Sequence, residues 1–400
     1  MRLFWPETED WRQAVVDLQQ KETLTPFHSA VLSFIQSLSM RLVRMRDYPE
    51  VVALGYWLRK AHIHQMREAW LEETKNRFVK SRGTVFHLAP SNVDTIFIYS
   101  WMLSLLAGNR NIIRVSGKEK LQTNALLSAI IDVLQDAAHT MIAERTIILT
   151  YDHDEQVTAF LSGECHTRVI WGGDDTVNAI RRIPLAPLAN ELTFPDRFSL
   201  AVLNAEAVVH ASPEEKELLL QHFYNDSFWF DQMACSSPRL VVWTGPNEII
   251  EMAQTAFWSL FDQVIRAKKA DLMSAIQVQK LATGLALATD VQANAFKHGT
   301  TFSRIAFEHI PADIRERHCG GGLFFECKAN GLPEVSTMMV DKDQTLSYFG
   351  FSKEELVEFV EMIPTRGIDR IVPVGQALDF NGVWDGQSFL QSFTREVVIL

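Results

Sequence analysis

Cysteine is scarce in this 400-residue chain: four in all, Cys165, Cys235, Cys319 and Cys327. They are widely spaced and no pair forms CxxC, which excludes a disulfide framework. His318 stands beside Cys319, but nothing at ligand spacing completes a zinc site, so no metal is expected. Excess positive charge is missing as well. Lys and Arg number 38 against 49 Asp and Glu, a formal net charge of −11. Without long basic runs, such a chain is a poor general binder of nucleic acid or of anionic membrane. A few local donors still suffice for a small phosphate-bearing ligand. The apolar stretch from Thr95 to Gly108 is shorter than the about 20 residues a membrane span needs, and it reads as a buried core helix. The opening MRLFWPETEDW has no apolar core region and carries acids early, unlike a signal peptide. There is no internal repeat and no low-complexity tract. A reduced, soluble, cytoplasmic protein is the expectation.

What is present is ordinary globular composition, 47% hydrophobic and 22% charged, over a length that allows two or three domains. Residues 1–80 read as a helical segment; Tyr48-Pro49-Glu50 opens one helix, and Arg41, Arg44 and Arg46 mark a solvated helix face. From about residue 82 strands and helices alternate. Short β-type runs fall at Thr84 to Leu88, Asn111 to Val115, Thr146 to Leu149, Arg168 to Trp171 and Ser199 to Leu203. Five strands separated by helices predict a doubly wound α/β domain over 81–208. Ser212-Pro213-Glu214-Glu215 and Ser352-Lys353-Glu354-Glu355 are helix-opening capping boxes. Between them Leu240 to Trp243 is a strand, and 209–368 is expected to be a second α/β domain. Strands near Arg370 to Val372 and Glu396 to Ile399 close the chain as a return segment over 369–400.

Three places can carry chemistry. Ala89-Pro90-Ser91-Asn92 joins the first strand to the first helix, where open α/β sheets bind ligands and helix N–H groups face anions. On spacing alone Asn92 reads as an ordinary helix cap. Trp171-Gly172-Gly173-Asp174 is another strand-to-helix turn that lets a cofactor phosphate approach, although no GxGxxG fingerprint is found there. Cys235 sits in a loop before a strand, flanked by Ser236, Ser237 and Pro238. A free cysteine is more often a small buried hydrophobe. In such a loop it is also a candidate nucleophile for acyl transfer.

Taken in order, these residues resemble a known family. His87-Leu-Ala-Pro90-Ser-Asn92-Val, Leu106-Ala-Gly-Asn109 and Ile113-Arg114-Val-Ser116 are similar to the aldehyde dehydrogenase superfamily. Ile170-Trp-Gly-Gly-Asp174, Phe194-Pro-Asp196-Arg197-Phe-Ser199 and Ala234-Cys235-Ser-Ser-Pro238 extend the likeness to its LuxC-type acyl-CoA reductase branch, associated with bacterial luminescence. So do Gln344-Thr-Leu-Ser-Tyr348-Phe-Gly350, Arg370-Ile-Val-Pro-Val-Gly375 and Trp384-Asp-Gly386. The likeness runs unbroken from about residue 48 to 400. It implies a nucleotide-binding α/β domain, a catalytic α/β domain, and a chain return that helps make a homo-oligomer. It also implies reduction of a long-chain acyl thioester, from acyl-CoA or a partner acyl-protein synthetase, to a fatty aldehyde.

By matching positions, Cys235 corresponds to the nucleophile. Asn92 corresponds to the oxyanion-hole donor, a role that overrides plain capping. Arg114 falls where the superfamily has a cofactor-touching lysine. A forked guanidinium suits a ribose phosphate, so NADP(H) is expected before NAD(H). Pro90, Ser91, Ser116, Gly172 and Gly173 are expected to line the cofactor. There are departures. The water-activating glutamate of hydrolytic relatives has no counterpart in Leu192 to Ser199; Glu191, Asp196 and Glu326 are only candidates for a base. The usual Gly-Gln before the nucleophile is absent, with Gln232 a loose substitute. The competing readings are a CoA-acylating NAD(P)-dependent aldehyde dehydrogenase acting on a shorter acyl group, and a non-catalytic scaffold for an acyl-protein synthetase.

Overall fold

A computed structural model describes residues 1–90, 95–117, 120–268, 274–290 and 293–399. The chain forms two compact units, Met1–Pro195 with Phe380–Leu400, and Asp196–Asp379. The second is thus inserted into the first.

The first unit is built on a six-stranded sheet in the order Arg2–Trp5, Thr146–Thr150, Arg110–Arg114, Thr84–Leu88, Thr167–Trp171, Asn190–Phe194. Only Arg2–Trp5 runs antiparallel, along one edge. The other five are parallel, and numbered by chain position they read 3-2-1-4-5. The order reverses beside Thr84–Leu88, where Leu88 is paired with Arg114 on one side and Ile170 on the other. Helices cover both faces, which is why these strands read as unbroken apolar runs. The helix Ile96–Leu106 buries Phe97, Ile98, Trp101, Met102, Leu103, Leu105 and Leu106. The apolar stretch is therefore core, and among the described residues no single helix is long and apolar enough to cross a membrane. His87 is core too: wholly buried, it meets Ser100 Oγ at 3.1 Å and Asn111 Oδ1 at 3.0 Å, and burial lowers it to about 4. It stays neutral and structural.

The second unit holds a seven-stranded sheet in the order Ala293–Lys297, Ser303–Phe307, Leu323–Ala329, Pro238–Thr244, Phe198–Asn204, Asp343–Phe349, Arg370–Pro373. All neighbours are parallel except the first pair. Period-two alternation splits each central strand between two cores. Leu200, Val202, Leu240 and Val242 enter one, while Ala201, Leu203, Val241 and Trp243 enter the other. In the second core Phe223, Phe257, Trp258, Phe261, Phe302 and Phe324 pack ring against ring. These aromatics are packing, and Glu326 is its polar centre. Its carboxylate accepts from Trp243 Nε1, Trp258 Nε1, Gln254 Nε2 and Arg304 Nη1 at 3.0, 2.7, 3.2 and 3.0 Å.

Several expected boundaries move. Ser199 to Leu203 lies in the second sheet, not the first; the fifth parallel strand of the first sheet is Asn190–Phe194. Its single inward-outward alternation between prolines gives it little strand signal. The division between units falls at 195/196 and not at 208/209. The return begins at Phe380, because Arg370–Pro373 completes the second sheet. Residues 1–80 are not helical throughout: Arg2–Trp5 joins the first sheet, and Phe78–Ser81 pairs antiparallel with Thr394–Val397. Both capping boxes form, opening Pro213–Phe228 and Lys353–Met362.

Asp226, near the end of Pro213–Phe228, ties that helix to the loop after Pro373. Its carboxyl accepts from Gly375 N–H at 2.7 Å and Ala377 N–H at 3.0 Å. Burial pushes it from the ordinary 3.8 up to about 7, despite those two donors. The folded chain therefore keeps this proton where the unfolded chain has lost it. The group's stabilising effect is complete below about pH 4 and is lost as pH rises towards about 7. Asp226→Asn stays neutral throughout. Denaturant melts from pH 5 to pH 8 should show wild type losing stability relative to Asp226→Asn, by on the order of 3 kcal/mol.

Candidate active site

In the first unit the reversal of strand order brings the carboxyl ends of three neighbouring strands side by side. This is where doubly wound sheets place their ligands. Pro90 follows Thr84–Leu88, Arg114 ends Arg110–Arg114 with Ser116 two residues on, and Gly172 and Gly173 follow Thr167–Trp171. All five therefore share one edge. Ser91 and Asn92 lie outside the described residues. Arg114 is half-buried. One Nη2 N–H goes to the Tyr151 carbonyl at 3.0 Å, and its guanidinium lies 5.4 Å from the Tyr151 ring centroid. Its Nε is buried and has no partner among the described residues. A buried donor left over at this edge fits an anionic ligand group. Ser116 borders a cavity of about 340 Å³ with Arg2, Gly117, Asn124 and Thr150. At Gly172 a Cβ would stand 3.0 Å from the Thr176 side chain. The helix that follows carries Asp174 and Asp175 in its first turn, which opposes a phosphate there. The two glycines shape the edge more than they offer charge.

In the second unit Cys235 occupies the loop between Pro213–Phe228 and Pro238–Thr244. Asp231 and Gln232 are left-handed, φ 49° and 61°, an unfavourable backbone that persists only where neighbours enforce it. Here the glycine run does so. Gly321 N–H donates to the Asp231 carbonyl at 2.8 Å. Gln232 is fully buried: its Oε1 accepts from Gly322 N–H at 3.0 Å and its Nε2 donates to the Pro238 carbonyl at 2.9 Å. Gly320, Gly321 and Gly322 all have positive φ, and a Cβ on Gly320 would meet Met233 Sδ at 2.5 Å. What read as a loose substitute for a missing motif residue is the brace of the loop.

Two further contacts aim Cys235. Ser199 Oγ donates to the Cys235 carbonyl at 2.6 Å and accepts from Thr345 N–H at 3.2 Å. The ladder between Phe198–Asn204 and Asp343–Phe349 is irregular here, shifting register between Asp343 and Leu346. Such shifts redirect side chains, and Gln344 Nε2 reaches Cys235 Sγ at 3.5 Å. The strand start is anchored by Asp343, whose oxygens each take one N–H of Arg315 at 2.7 Å.

The other cysteines differ. Burial pushes Cys165 and Cys327 up to about 12 and raises Cys319. The base candidates are already engaged. Glu191 is paired with Arg168 and Arg181 in the first unit, Asp196 with Lys342, and Glu326 carries its four donors. Among the described residues no group of three His, Cys, Asp or Glu could hold a metal. Ser199, Gln344 and Arg239 were not singled out from the sequence. The first two lie inside stretches that carry the family resemblance, but no residue-type rule marks a glutamine as a sulfur's neighbour.

This pair of sheets is the aldehyde dehydrogenase fold. A solved lactaldehyde dehydrogenase superposes with a TM-score of 0.69 at 12% identity, covering 98% of this chain and 92% of its own. Residues 12–396 match the acyl-CoA reductase (LuxC) family, and the chain belongs to that family of oxidoreductases. The long-chain acyl-protein thioester reductase of Aliivibrio fischeri is 25% identical over 358 residues, 84% of this chain and 67% of its own length. That of Photorhabdus laumondii subsp. laumondii is 24% identical over 348 residues, 82% and 66%. The likeness therefore spans about two thirds of those relatives.

The bracing of the cysteine loop is testable. Gln232→Ala strands a buried N–H and a buried C=O, each costing about 1–3 kcal/mol. Chemical denaturation should find the variant less stable by about 2–4 kcal/mol.

Proposed function

We propose that the protein reduces a long-chain acyl thioester, acyl-CoA or acyl-protein, to the fatty aldehyde with NADPH, through an acyl-enzyme on Cys235. The observation that carries this reading is the setting of Cys235. It alone of the four cysteines sits in a braced, strained loop with a side-chain N–H directed at its sulfur. The sulfur attacks the thioester carbonyl, the carbon–sulfur bond to the donor thiol breaks, and the acyl group stays on Cys235. NADPH, when bound, would supply the hydride that takes this thioester to the thiohemiacetal. Collapse of the thiohemiacetal releases aldehyde and regenerates Cys235. Asn92 is assigned the oxyanion in both tetrahedral states, a donor worth about 3–4 kcal/mol in comparable sites. The departing thiol, with a pKa of about 8.5, needs little acid help.

Two of the candidate water activators, Glu326 and Glu191, are engaged with donors. That favours reduction over hydrolysis. Arg114, with its spare buried Nε, is assigned the 2′-phosphate of NADPH, and Pro90, Ser91, Ser116, Gly172 and Gly173 the lining of the cofactor site. Assembly into a homo-oligomer belongs to the same reading. Phe78, Val398 and Ile399 stand exposed around the two-stranded ladder, an apolar surface suited to a second copy. The acyl group would come from CoA or from an acyl-protein synthetase.

Mixing the protein with long-chain acyl-CoA and no cofactor should release one CoA per chain and acylate Cys235. Absence of that burst, or equal acylation in Cys235→Ala, overturns the mechanism. NADPH oxidation followed across chain lengths then separates long-chain reduction from the shorter-chain dehydrogenase reading, and no oxidation with any thioester leaves the scaffold. Arg114→Gln should lower kcat/KM for NADPH by about 10–100-fold and leave NADH use nearly unchanged, the equivalent of a lost charge-assisted hydrogen bond. An unaltered NADPH:NADH ratio removes Arg114 from cofactor choice.

A further inference from the structure

We propose that Gln344 and Arg239 together hold the Cys235 sulfur as the thiolate, so that the nucleophile is charged before substrate arrives and no general base is used. This rests on reading Cys235 as the nucleophile.

A base would have to be a carboxylate or an imidazole. Glu326 is saturated with donors, and Asp196 is paired with Lys342 at 3.4 Å. His318 is wholly engaged. Its Nδ1 accepts from Gly320 N–H at 2.9 Å and its Nε2 meets the Leu323 carbonyl at 2.7 Å. Burial, with Arg239 close by, holds His318 well below its ordinary value, so it remains neutral and takes no further proton.

Gln344 and Arg239 bring donors to this loop. Gln344 is fully buried and its Nε2 lies 3.5 Å from Sγ. An amide N–H bonds an anionic sulfur more strongly than a neutral one. Arg239 follows four residues after Cys235, at the start of Pro238–Thr244. It is 8% exposed. Nη1 donates to the Arg197 carbonyl at 3.2 Å, and the guanidinium lies 5.9 Å from the Phe198 ring centroid. Its Nε is buried without a partner among the described residues. A buried guanidinium with a spare donor is costly unless negative charge faces it.

The groups that can supply that charge are Asp196, Cys235 and Cys319, and all three act favourably on Arg239. Asp196 is half-exposed and shared with Lys342. Cys319 is raised by burial, and its thiol is directed at the Gly320 carbonyl at 3.6 Å. Lys280, buried nearby, acts on Cys319. Asp196 contributes most, and Cys235 is the second anion that acts on Arg239. The Sγ–H bond breaks with its electron pair kept on sulfur, and the proton passes to bulk water. A neutral amide has a second merit here. Unlike a glutamate, it cannot deprotonate a water beside the acyl-enzyme.

The test is the pH profile of Cys235 alkylation by iodoacetamide, without substrate or cofactor, followed on the Cys235 peptide by mass spectrometry. Wild type should show a midpoint at least one unit below the ordinary thiol value of about 8.5. Gln344→Leu and Arg239→Met should each raise the midpoint by about a unit, a roughly tenfold slower reaction near neutral pH. Arg239→Lys, which keeps the charge, should recover most of the shift. A wild-type midpoint at 8.5 or above overturns the proposal, as does an unchanged midpoint in both Gln344→Leu and Arg239→Met. If Arg239→Met does not fold, Gln344→Leu alone decides. The two readings fail separately. A low midpoint without acylation by acyl-CoA removes the acyl-enzyme and leaves the thiolate. Acylation with an ordinary midpoint does the reverse.

Discussion

A buried carboxylate–guanidinium pair sets the geometry on the Cys235 side. Asp343 takes two N–H groups of Arg315 and the Val340 N–H, and neither side chain of the pair is more than 5% exposed. Burying two charges is tolerable only when each lone pair and proton is used. Removing one partner of such a pair typically costs about 3–5 kcal/mol. Arg315 also reaches the Met338 carbonyl, and Arg197 donates to the Asp343 carbonyl at 2.9 Å. Three stretches of chain are thereby locked at the first residue of one strand. Gln344 is the next residue, so its reach to the sulfur is inherited from a contact that does no chemistry.

Ser199 and Gln232 extend the same logic. Each places one side chain where backbone groups would otherwise be unpaired, and each does so beside an irregularity. Ser199 fills a break in the ladder, and Gln232 sits at a left-handed backbone. Irregular backbone next to a reactive group survives because such side chains compensate it. The net charge of −11 has little bearing at this scale. Arg239 and Arg114 each donate to a backbone carbonyl, at 3.2 and 3.0 Å, inside low-dielectric surroundings where global charge is a weak influence.

Most of the architecture was legible in the order of elements, because period-two and helical patterns repeat along the chain and capping boxes announce their helices. The sheet to which a strand belongs was not. Ser199 to Leu203 is as apolar as any strand of the first sheet, and nothing local says that it pairs with Leu240 and Leu346. Asn190–Phe194, short and hemmed by Pro187 and Pro195, carries little β-signal of its own. At the site, Cys235 and Gly172 stood out by residue type and position, and Arg114 through the family resemblance. Gln344, Ser199 and Arg239 did not, since their meaning comes from contacts 109, 36 and 42 residues away in the chain. Glu326 misled in the opposite way: a carboxylate that read as a candidate base is the polar centre of an aromatic core.

The insertion of one unit within the other has a consequence for biosynthesis. Phe389 stacks with Phe194 and Trp171, at 5.2 and 6.2 Å between ring centroids, and Asn109 donates to the Phe393 carbonyl. The aromatic seam at the end of the first sheet is therefore closed by residues translated nearly two hundred positions after the strands it covers. During synthesis the second unit can be complete while the first still exposes Trp171 and Phe194. The half that begins earlier on the ribosome is the half that finishes last, and the interval is a window in which its apolar edge depends on nascent-chain protection.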